Sequence, residues 1–270
     1  MQPRIHTAIC EYFKMTKIPF LQRIKKPFEY DSFKKNLSLL STVFYSRQVA
    51  TVCGPPGSGK SSLVFYALND LDPSEFRVVN CQLSNPSKGA FYKTLATKMG
   101  LNPEFRADDI KLQIIDFFNE QNAQGKFNCV IADEAHNLSV DMIDELRSFY
   151  DEGNNFSLIL AGLPALINRK LNLSVTIPMQ QRVTLFLECS GFSLNESKRY
   201  VGHHLEQVQA ENSIIDDKCF PLVHSETSGI PRKINQACYG ALLKGYQQKE
   251  SIINENILKK VFNSMSRKEP

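Results

Sequence analysis

The chain has 270 residues, of which 42% are hydrophobic and 22% charged, and its formal net charge is +4. This composition is typical of a globular protein and excludes a collagen-like or low-complexity chain. The length suits one main domain with a smaller second one. No stretch approaches the roughly 18 uninterrupted apolar residues of a membrane helix. The N-terminus carries Arg4, His6 and Glu11 where a secretory signal would be apolar, so we expect a cytoplasmic protein.

The cysteines give no sign of a disulfide framework or a zinc site. They are scattered, several lie in apolar runs, and no two form a Cys-x-x-Cys pair. We therefore expect reduced and mostly buried thiols. The seven positions are Cys10, Cys53, Cys81, Cys129, Cys189, Cys219 and Cys238.

Positive charge is concentrated near the N-terminus. Residues 1–50 contain nine Lys or Arg and three Asp or Glu, a balance of +6, so the remaining residues sum to −2. Such a segment either contacts a polyanion or is a solvated face, and charge alone does not decide between the two. The basic residues considered are Lys14, Lys17, Arg23, Lys25, Lys26, Lys34 and Lys35.

Beyond about Tyr45, short apolar runs alternate with helical patterns. The apolar runs predict strands at Val49–Cys53, Phe76–Cys81, Phe127–Asp133, Ser157–Ala161 and Thr184–Glu188. The helical patterns lie at Lys60–Asn69, Lys88–Met99, Asp108–Gln121, Ser139–Tyr150 and Pro164–Leu171. Strands separated by helices predict right-handed crossovers and a parallel five-stranded sheet in an α/β domain.

From Cys189 onward the strand pattern stops. Ser193–Glu196 is a capping box that opens a helix running towards Val208. Further helical patterns follow at Asp216–Thr227, Ile230–Lys244 and about Ile253–Ser264. We therefore predict a basic N-terminal segment packed on the core (residues 1–45), an α/β domain (46–188) and a small helical domain (189–270).

The segment Gly54–Ser61 fits the phosphate-loop pattern Gly-x4-Gly-Lys-Ser, between a predicted strand and a predicted helix. Its glycines allow backbone N–H groups to converge on an anion, together with the helix N-terminus. In this motif Lys60 reaches the β- and γ-phosphates and Ser61 binds Mg²⁺. The sequence predicts a nucleoside triphosphate site formed by Gly54, Pro55, Pro56, Gly57, Ser58, Gly59, Lys60, Ser61 and Ser62.

A second motif, Val130-Ile-Ala-Asp133-Glu134, is an apolar strand that ends in two carboxylates. Asp133 is placed to hold Mg²⁺ through its water shell, and Glu134 to polarise the water that attacks the γ-phosphate. A merely solvated strand end is the alternative. His136 either contacts the γ-phosphate network or is a structural histidine of the turn.

Two arginines follow these motifs. Arg182 precedes the last predicted strand, where a cation can project into the nucleotide site of a neighbouring subunit. Arg232 follows Gly229-Ile-Pro at the start of a helix and can close over the nucleotide of its own chain. From spacing alone, a surface salt bridge is the alternative for each.

From about Tyr12 to Phe262 the chain resembles bacterial AAA+ ATPases of the ExeA type, and in particular compact ATPases encoded beside DDE transposases, of the IstB, MuB and TnsC/TniB kinds. The resemblance implies a three-layer αβα P-loop NTPase domain followed by a helical lid. It is carried by the order and spacing of Tyr12-Phe13…Pro19-Phe20, Gly54–Ser61, Asp133–His136, Ile159–Gly162, Gln181–Val183 and Gly229–Asn235.

In such ATPases the nucleotide lies between subunits of a ring or helical filament, and the cofactors are ATP and Mg²⁺. The resemblance makes Lys60 and Ser61 the ligands of phosphate and Mg²⁺. It makes Asp133 and Glu134 the pair that activates water.

The resemblance also implies roles for residues outside the two motifs. Arg182 matches the arginine finger, which acts in trans, and Arg232 matches the second sensor. Phe20, in Pro19-Phe20, matches a residue near the adenine. A staple that packs the N-terminal segment on the core is the equal alternative for Phe20.

One position departs from the family pattern. Similar proteins carry Ala-Gly-Gln-Pro after the fourth strand, where this chain has Leu163 in Ala161-Gly-Leu-Pro164. If that glutamine orients the attacking water, its loss predicts slow hydrolysis that DNA or a partner stimulates. A long-lived ATP-bound assembly would tolerate slow turnover.

The function implied is an ATP-dependent regulator of DNA transposition in the bacterial cytoplasm. Its protomers would assemble on double-stranded DNA, contact phosphates without reading sequence, and recruit or activate a DDE transposase. The candidate DNA contacts are Lys88, Tyr92 and Lys93, with the loop Ser84–Lys88. An amphipathic helix that only covers the sheet is the alternative for these residues.

Other functions remain open on the sequence. A secretion-assembly ATPase of the ExeA kind would add a membrane span and an envelope domain, and the sequence shows neither. A signalling NTPase switch, whose helical lid binds a regulatory protein, would need no DNA. A clamp loader or replication initiator would normally add a collar or a dedicated DNA-binding domain.

Overall fold

The computed structural model describes residues 4–21, 26–82 and 85–266. The chain divides into two compact units. The unit called the sheet unit below comprises Asp31–Pro56 and Lys60–Cys189. The other, called the helical unit, comprises the described residues of Met1–Tyr30 and Ser190–Pro270, together with Gly57–Gly59.

The described part of the chain contains one five-stranded parallel sheet, with strand order β2-β3-β4-β1-β5. The inner strands β1 and β4 are buried at every position, whereas the edge strands β2 and β5 alternate between buried and less buried residues. Continuous apolar runs are expected for strands covered on both faces. The strands are β1 (Val49–Cys53), β2 (Phe76–Gln82), β3 (Phe127–Asp133), β4 (Phe156–Gly162) and β5 (Val183–Glu188).

The α-helices are α1 (Arg4–Tyr12), α2 (Asp31–Ser46), α3 (Lys60–Asn69), α4 (Lys88–Lys98), α5 (Ala107–Ala123), α6 (Val140–Gly153), α7 (Ile177–Arg182), α8 (Leu194–Glu206), α9 (Phe220–Thr227), α10 (Pro231–Gln248) and α11 (Glu255–Ser266). Short 3₁₀ turns lie at Ala135–Asn137, Asn212–Ile214 and Asp217–Cys219, and a π-helical segment at Leu166–Leu171. Of the helices described, none combines the length and the apolar character needed to cross a membrane.

The α/β architecture predicted from the sequence is confirmed. Every strand lies within one residue of its predicted bounds. The predicted helix Pro164–Leu171 is a π-helical segment instead, and Asp216–Thr227 is a 3₁₀ turn followed by α9. Pro221 is in the first turn of α9, where its missing N–H costs no helical hydrogen bond.

Helices cover the sheet in layers. On one face, strand residues such as Val79, Val130 and Leu158 share a buried core with the apolar sides of α4, α5 and α6. Helices α2 and α3 contact each other, and α2 also contacts β1, β3, β4 and β5. This packing brings the carboxyl ends of β1, β3 and β4 to one edge of the sheet, which is where ligands bind in open α/β sheets.

The helical unit has a core built from both ends of the chain. Ile9, Phe13 and Phe28 share this core with Tyr200 and Ile234. The sequence predicted instead one N-terminal segment, residues 1–45, packed on the ATPase core. The structure divides that segment, because Ile9, Phe13 and Phe28 are buried with α8–α11 while α2 belongs to the sheet unit.

Candidate nucleotide site

The phosphate loop leaves β1 at Gly54 and runs into the first turn of α3. Gly57 and Gly59 have φ angles of 80° and 102°, a region that favours glycine. A Cβ at Gly59 would meet no described atom within 4 Å. Ser58 is buried, and its Oγ has no hydrogen-bond partner among the described residues. The open backbone at Gly59 and the unpaired buried hydroxyl of Ser58 suit a polar ligand in this loop.

Lys60 is held within the loop. Its side chain is buried, and Nζ donates to the carbonyl oxygens of Gly54 at 2.9 Å and Pro55 at 3.1 Å. Burial lowers the pKa of Lys60, and the carboxylates of Glu134 and Asp133 oppose that shift. The ammonium group therefore lies within the electrostatic reach of both predicted catalytic acids.

Asp133 and Glu134 lie at the carboxyl end of β3. An Asp133 carboxylate oxygen accepts the backbone N–H of Glu134 at 2.9 Å. Glu134 has a φ of 55° and a ψ of 35°, a left-handed conformation that is costly for a residue with a Cβ. Strained backbone of this kind concentrates at functional sites. Here it turns the chain sharply between the strand and the 3₁₀ turn that follows.

His136 links Glu134 to the tip of β4. Its Nδ1 lies 3.2 Å from a Glu134 carboxylate oxygen, and the backbone N–H of Leu163 donates to the same nitrogen at 3.4 Å. One nitrogen cannot both accept from Leu163 and donate to Glu134, so the two contacts require different protonation states of Nδ1. His136 thus has a defined place beside the proposed catalytic carboxylate.

The sheet unit contains Lys60, Asp133, Glu134 and His136, with His136 beside Glu134. Ser61 follows Lys60 in the first turn of α3 and is exposed. Its hydroxyl and the Asp133 carboxylate are oxygen donors, the ligand type that Mg²⁺ prefers. These side chains therefore fit a triphosphate with its metal.

Arg182 ends α7 and is bonded within its own protomer. Its Nε donates to an Asp151 oxygen at 2.7 Å, and its Nη2 donates to the other at 3.2 Å. Its side chain is 43% exposed. Among the described residues, these polar contacts are with Asp151 and not with the phosphate loop. A role in a neighbouring subunit's site stays a prediction.

Arg232 and Phe20 belong to the helical unit. Arg232 lies in the first turn of α10, and its backbone N–H donates to the carbonyl of Gly57, which groups with the same unit, at 3.3 Å. Phe20 is 6% exposed, and its ring centroid lies 5.0 Å from that of His204. Phe20 thus packs within the core of the helical unit, against His204. Its contact with adenine and the sensor role of Arg232 remain predictions.

Of the predicted DNA contacts, Tyr92 is wrong, because the helix covers the sheet at this position, while Lys88 stays a prediction. Tyr92 is fully buried, and its hydroxyl donates to Glu145 at 2.6 Å, so its ring is not available to a duplex. Lys88 pairs with Asp108 at 2.8 Å and with Glu145 at 3.1 Å. The sequence pattern missed these acidic partners on α5 and α6. Lys93 is exposed on α4, and Ser84 lies outside the described residues.

The described basic residues of the N-terminal segment are divided between the two units. Lys14, Lys17 and Lys26 are exposed in the helical unit, while Lys34 and Lys35 are exposed on α2 in the sheet unit. Arg23 and Lys25 lie outside the described residues. The seven cysteines are all free and buried, as expected.

Sequence reasoning missed a charged network on α6. Asp144, Arg147 and Asp151 lie three and four residues apart, and Arg147 donates to Asp144 at 2.8 Å and to Asp151 at 3.0 Å. This spacing is visible in the sequence as helical charge pairing. Its connection to Arg182 is not, because that residue lies on α7.

The segment that carries both motifs is similar to known proteins. Residues 44–170 match the family model described as AAA domain, a segment that includes the phosphate loop and Asp133-Glu134. General secretion pathway protein A of Aeromonas hydrophila is 28% identical over 128 residues, which is 46% of this chain and 23% of that protein. The chain thus matches less than a quarter of this relative.

Solved structures show the same fold. Cdc6p from Pyrobaculum aerophilum has a TM-score of 0.69 at 15% identity, over 89% of this chain and 68% of that one. The Aeropyrum pernix ORC1 protein in complex with DNA has a TM-score of 0.65 at 12% identity, over 89% and 67%. At such low identity the likeness shows the fold alone, which is that of an AAA+ P-loop ATPase.

Proposed function

We propose that this AAA+ protein is an ATP hydrolase whose ATP-bound protomers assemble with one another on double-stranded DNA. One observation carries the proposal: the buried Lys60, directly after a phosphate loop, has its Nζ 2.9 Å from the carbonyl oxygen of Gly54, in the same unit whose strand β3 ends at Asp133, next to Glu134. A cation for the phosphates, a carboxylate for the metal and a carboxylate for water are what a P-loop ATPase needs.

Mg²⁺ and ATP are the cofactors of this site. Lys60 binds the β- and γ-phosphates, while Ser61 and Asp133 hold the metal. When bound, Mg²⁺ neutralises the charge that develops on the phosphate oxygens. The backbone of the loop and the N-terminus of α3 supply N–H groups to the anion. The nucleotide-binding set is Gly54, Pro55, Pro56, Gly57, Ser58, Gly59, Lys60, Ser61, Ser62 and Phe20.

Glu134 orients and deprotonates the attacking water. His136, 3.2 Å from its carboxylate, restricts the positions that this side chain can take. The two contacts of His136 Nδ1 favour a structural role over direct contact with phosphate. Leu163 contributes only its backbone N–H at this point. We expect basal turnover to be slow, with DNA or a partner stimulating it.

Assembly depends on nucleotide because two protomers contact one triphosphate. Arg182 is an exposed cation outside its own chain's site, which supports a role as a finger in the neighbour's site. Arg232 acts in cis as the second sensor, and its contact with Gly57 supports this. A ligand contacted from two chains stabilises their association by mass action.

The DNA part of the proposal is supported by the shared fold of the Aeropyrum pernix protein in complex with DNA. Among the described residues, Lys14, Lys17, Lys26, Lys35 and Lys93 are exposed lysines that we propose as phosphate contacts. Contacts to phosphates alone give binding that weakens steeply with salt and does not select a sequence.

In its finer form the proposal is that the assembly regulates DNA transposition, by recruiting or activating a DDE transposase. Its support is the resemblance of the ordered motifs described above. A transposition assay with a DDE transposase, with and without this protein and ATP, tests it. No change in target choice or product yield would remove this finer function and leave the ATPase assembly intact.

A second candidate function is favoured by one observation, the match to General secretion pathway protein A. An ATPase that assembles secretion machinery would bind envelope components and need no DNA. DNA-independent assembly, with turnover unaffected by duplex, would favour this candidate.

The central experiment compares the unaltered protein with Lys60→Ala, Glu134→Gln and Arg182→Ala. We expect Lys60→Ala to lose ATP binding, and Glu134→Gln to bind ATP and assemble without hydrolysis. Arg182→Ala should bind ATP but lose hydrolysis, by about 10³-fold, and assembly. Sedimentation with and without ATP and duplex, together with phosphate release, measures these effects. Arg106→Ala, an exposed cation of the sheet unit outside α4, is the control.

The DNA surface has a separate test. Lys93→Glu should weaken duplex binding and reduce its salt dependence, while ATP turnover without DNA stays normal. Lys88→Glu is a poorer probe because it breaks two ion pairs. Unchanged DNA binding by Lys93→Glu would remove α4 from the proposed interface.

A further inference from the structure

We infer that Asp151 is a positioning residue for Arg182, which fixes the guanidinium of one protomer so that its remaining N–H groups can bind the triphosphate held by a second copy of this chain. The inference rests on the proposed role of Arg182 as a finger. It adds a residue that neither motif contains.

The contact between the two side chains has two points. Nε of Arg182 donates to one Asp151 oxygen at 2.7 Å, and Nη2 donates to the other at 3.2 Å. Paired contacts of this kind fix the plane of a guanidinium as well as its distance. The group has five N–H bonds, so three remain, two on Nη1 and one on Nη2. With 43% of the side chain exposed, these donors are open to a second anion.

Asp151 is itself held in place. Arg147 donates to Asp151 at 3.0 Å and to Asp144 at 2.8 Å, all three residues being on α6. Burial raises the pKa of Asp151, but the hydrogen bonds from Arg182 and Arg147 outweigh it and the pKa is lowered. Asp151 therefore stays ionised and anchored at neutral pH.

Helix α6 is a fixed platform for this contact. On a neighbouring stripe of the helix, Lys111 of α5 donates to Ser148 at 2.9 Å and to Glu152 at 2.6 Å. The helix is capped at its start by Ser139, a few residues after Glu134. Arg182 is thus fixed against α6, the helix that follows the carboxyl end of β3 in its own protomer.

Fixing a long side chain in advance affects turnover more than folding. An unrestrained arginine must lose its rotamer freedom when it meets the phosphate, and a prepaired one has already lost it. A half-exposed ion pair contributes little to folding. Loss of Asp151 should therefore lower kcat without changing ATP affinity or the unfolding temperature.

The test compares Asp151→Ala, Asp151→Glu and Asp144→Ala in the full chain under assembling conditions. We expect Asp151→Ala to lower kcat about tenfold with KM for ATP unchanged. Asp151→Glu should recover part of the loss, because it keeps the carboxylate. Asp144→Ala removes an acid that holds Arg147 but leaves the Asp151–Arg182 contact, so it should lower kcat less than Asp151→Ala does. Asp151→Ala combined with Arg182→Ala should be no slower than Arg182→Ala alone.

Mixing variants separates positioning from a folding defect. Glu134→Gln protomers have no turnover of their own but carry an intact finger. Added to Asp151→Ala protomers, whose own sites are intact, they should raise turnover per Asp151→Ala protomer. A merely misfolded Asp151→Ala protein would gain nothing from the mixture.

The outcomes are distinguishable. If Asp151→Ala turns over normally while Arg182→Ala does not, the positioning role is wrong and the finger stands. If Asp151→Ala turns over faster than the unaltered protein, Asp151 restrains Arg182 instead, and the inference is overturned. Normal turnover and assembly by Arg182→Ala would overturn the proposed finger, and this inference with it.

Discussion

The sheet unit and the helical unit bury ionisable groups in opposite ways. In the sheet unit, Lys60 and Lys111 are buried, and each donates to oxygen partners at 2.6 to 3.1 Å. In the helical unit, His204 is 3% exposed, and its Nε2 has no hydrogen-bond partner among the described residues. A buried cation with partners stays charged and usable, whereas a buried imidazole without them is kept neutral.

This difference in how ionisable groups are buried suggests that the two units depend on different interactions. Charges of the sheet unit are part of the site or of the network that positions α6. The helical unit instead depends on close apolar packing, including aromatic contacts such as Phe28–Tyr200 and Phe192–Tyr200. We therefore expect the sheet unit to be sensitive to loss of charge. We expect the helical unit to be sensitive to added volume and to acid.

The largest expected effect is steric and lies in the helical unit. Gly229 has a φ of 67°, and a Cβ there would lie 2.0 Å from the carbonyl oxygen of Phe192. Gly229→Ala should lower the free energy of unfolding by about 4 kcal/mol, because backbone must move as well as adopt a left-handed angle. Urea denaturation of the variant and the unaltered protein measures this.

Gly125→Ala in the sheet unit is the matched control for that change. Gly125 has a φ of 78°, and a Cβ there would meet no described atom within 4 Å. It should cost only the left-handed strain, about 1 kcal/mol. Equal losses for the two glycines would show that the close approach of Phe192 is not what makes Gly229→Ala costly.

Acid should destabilise the helical unit selectively. Burial lowers the pKa of His204 to about 4, and His203 adds to the shift. Between about pH 6.5 and 4 the unfolded chain binds a proton at this residue and the folded chain does not, so stability falls as pH falls through this window. The loss should reach about 3 kcal/mol near pH 4.

His204→Phe isolates this contribution. The phenyl ring retains the packing against Phe20 and Tyr200 and cannot titrate. The unfolding free energy of the variant should therefore depend less on pH between about 6.5 and 4 than that of the unaltered protein. Parallel pH profiles for the two proteins would show that His204 is not the source of acid sensitivity.

A smaller effect is expected from the charged network of the sheet unit. Lys111→Met leaves Glu152 and Ser148 without their buried donor. We expect a loss of about 2 kcal/mol, less than for a fully buried pair because Glu152 is half exposed and Glu145 keeps Lys88. Thermal unfolding checks it. A stabilised Lys111→Met protein would mean that packing, not charge, holds α5 against α6.

The smallest effect concerns the tip of β4. Leu163→Gln restores the residue that the family resemblance leads one to expect and adds a polar side chain near His136. We expect a gain in basal kcat of a few fold, worth under about 1 kcal/mol in the barrier. Phosphate release without DNA measures it. No gain would indicate that Leu163 is not the cause of slow turnover.

The sheet unit was predictable because its signals are local. The apolar runs set the strands within one residue, and the loop Gly54–Ser61 and the pair Asp133-Glu134 each lie in one short segment. Parallel topology then brings those segments to one edge of the sheet. A pattern of a few adjacent residues was therefore enough to assign the two motifs to the ends of β1 and β3.

The features that the sequence did not predict depend on contacts between segments that are distant along the chain. Nothing near Tyr92 in the sequence shows that its hydroxyl meets Glu145, so its burial was missed. The pairing of Asp151 with Arg182 joins two helices and was missed for the same reason. The division of the first 45 residues between units follows from which core buries Ile9 and Phe13, and periodicity along the chain does not specify that.

The shared core of the first and last segments has a consequence for biosynthesis. Helix α1 contacts α10, so the apolar side chains of α1 find their partners only after the ribosome has made Pro231–Gln248. At a translation rate of roughly 5 to 20 residues per second, the time between the synthesis of α1 and that of α10 is roughly 10 to 40 seconds. The sheet unit is translated within this interval and can fold first, while Ile9 and Phe13 stay accessible to chaperones on the nascent chain.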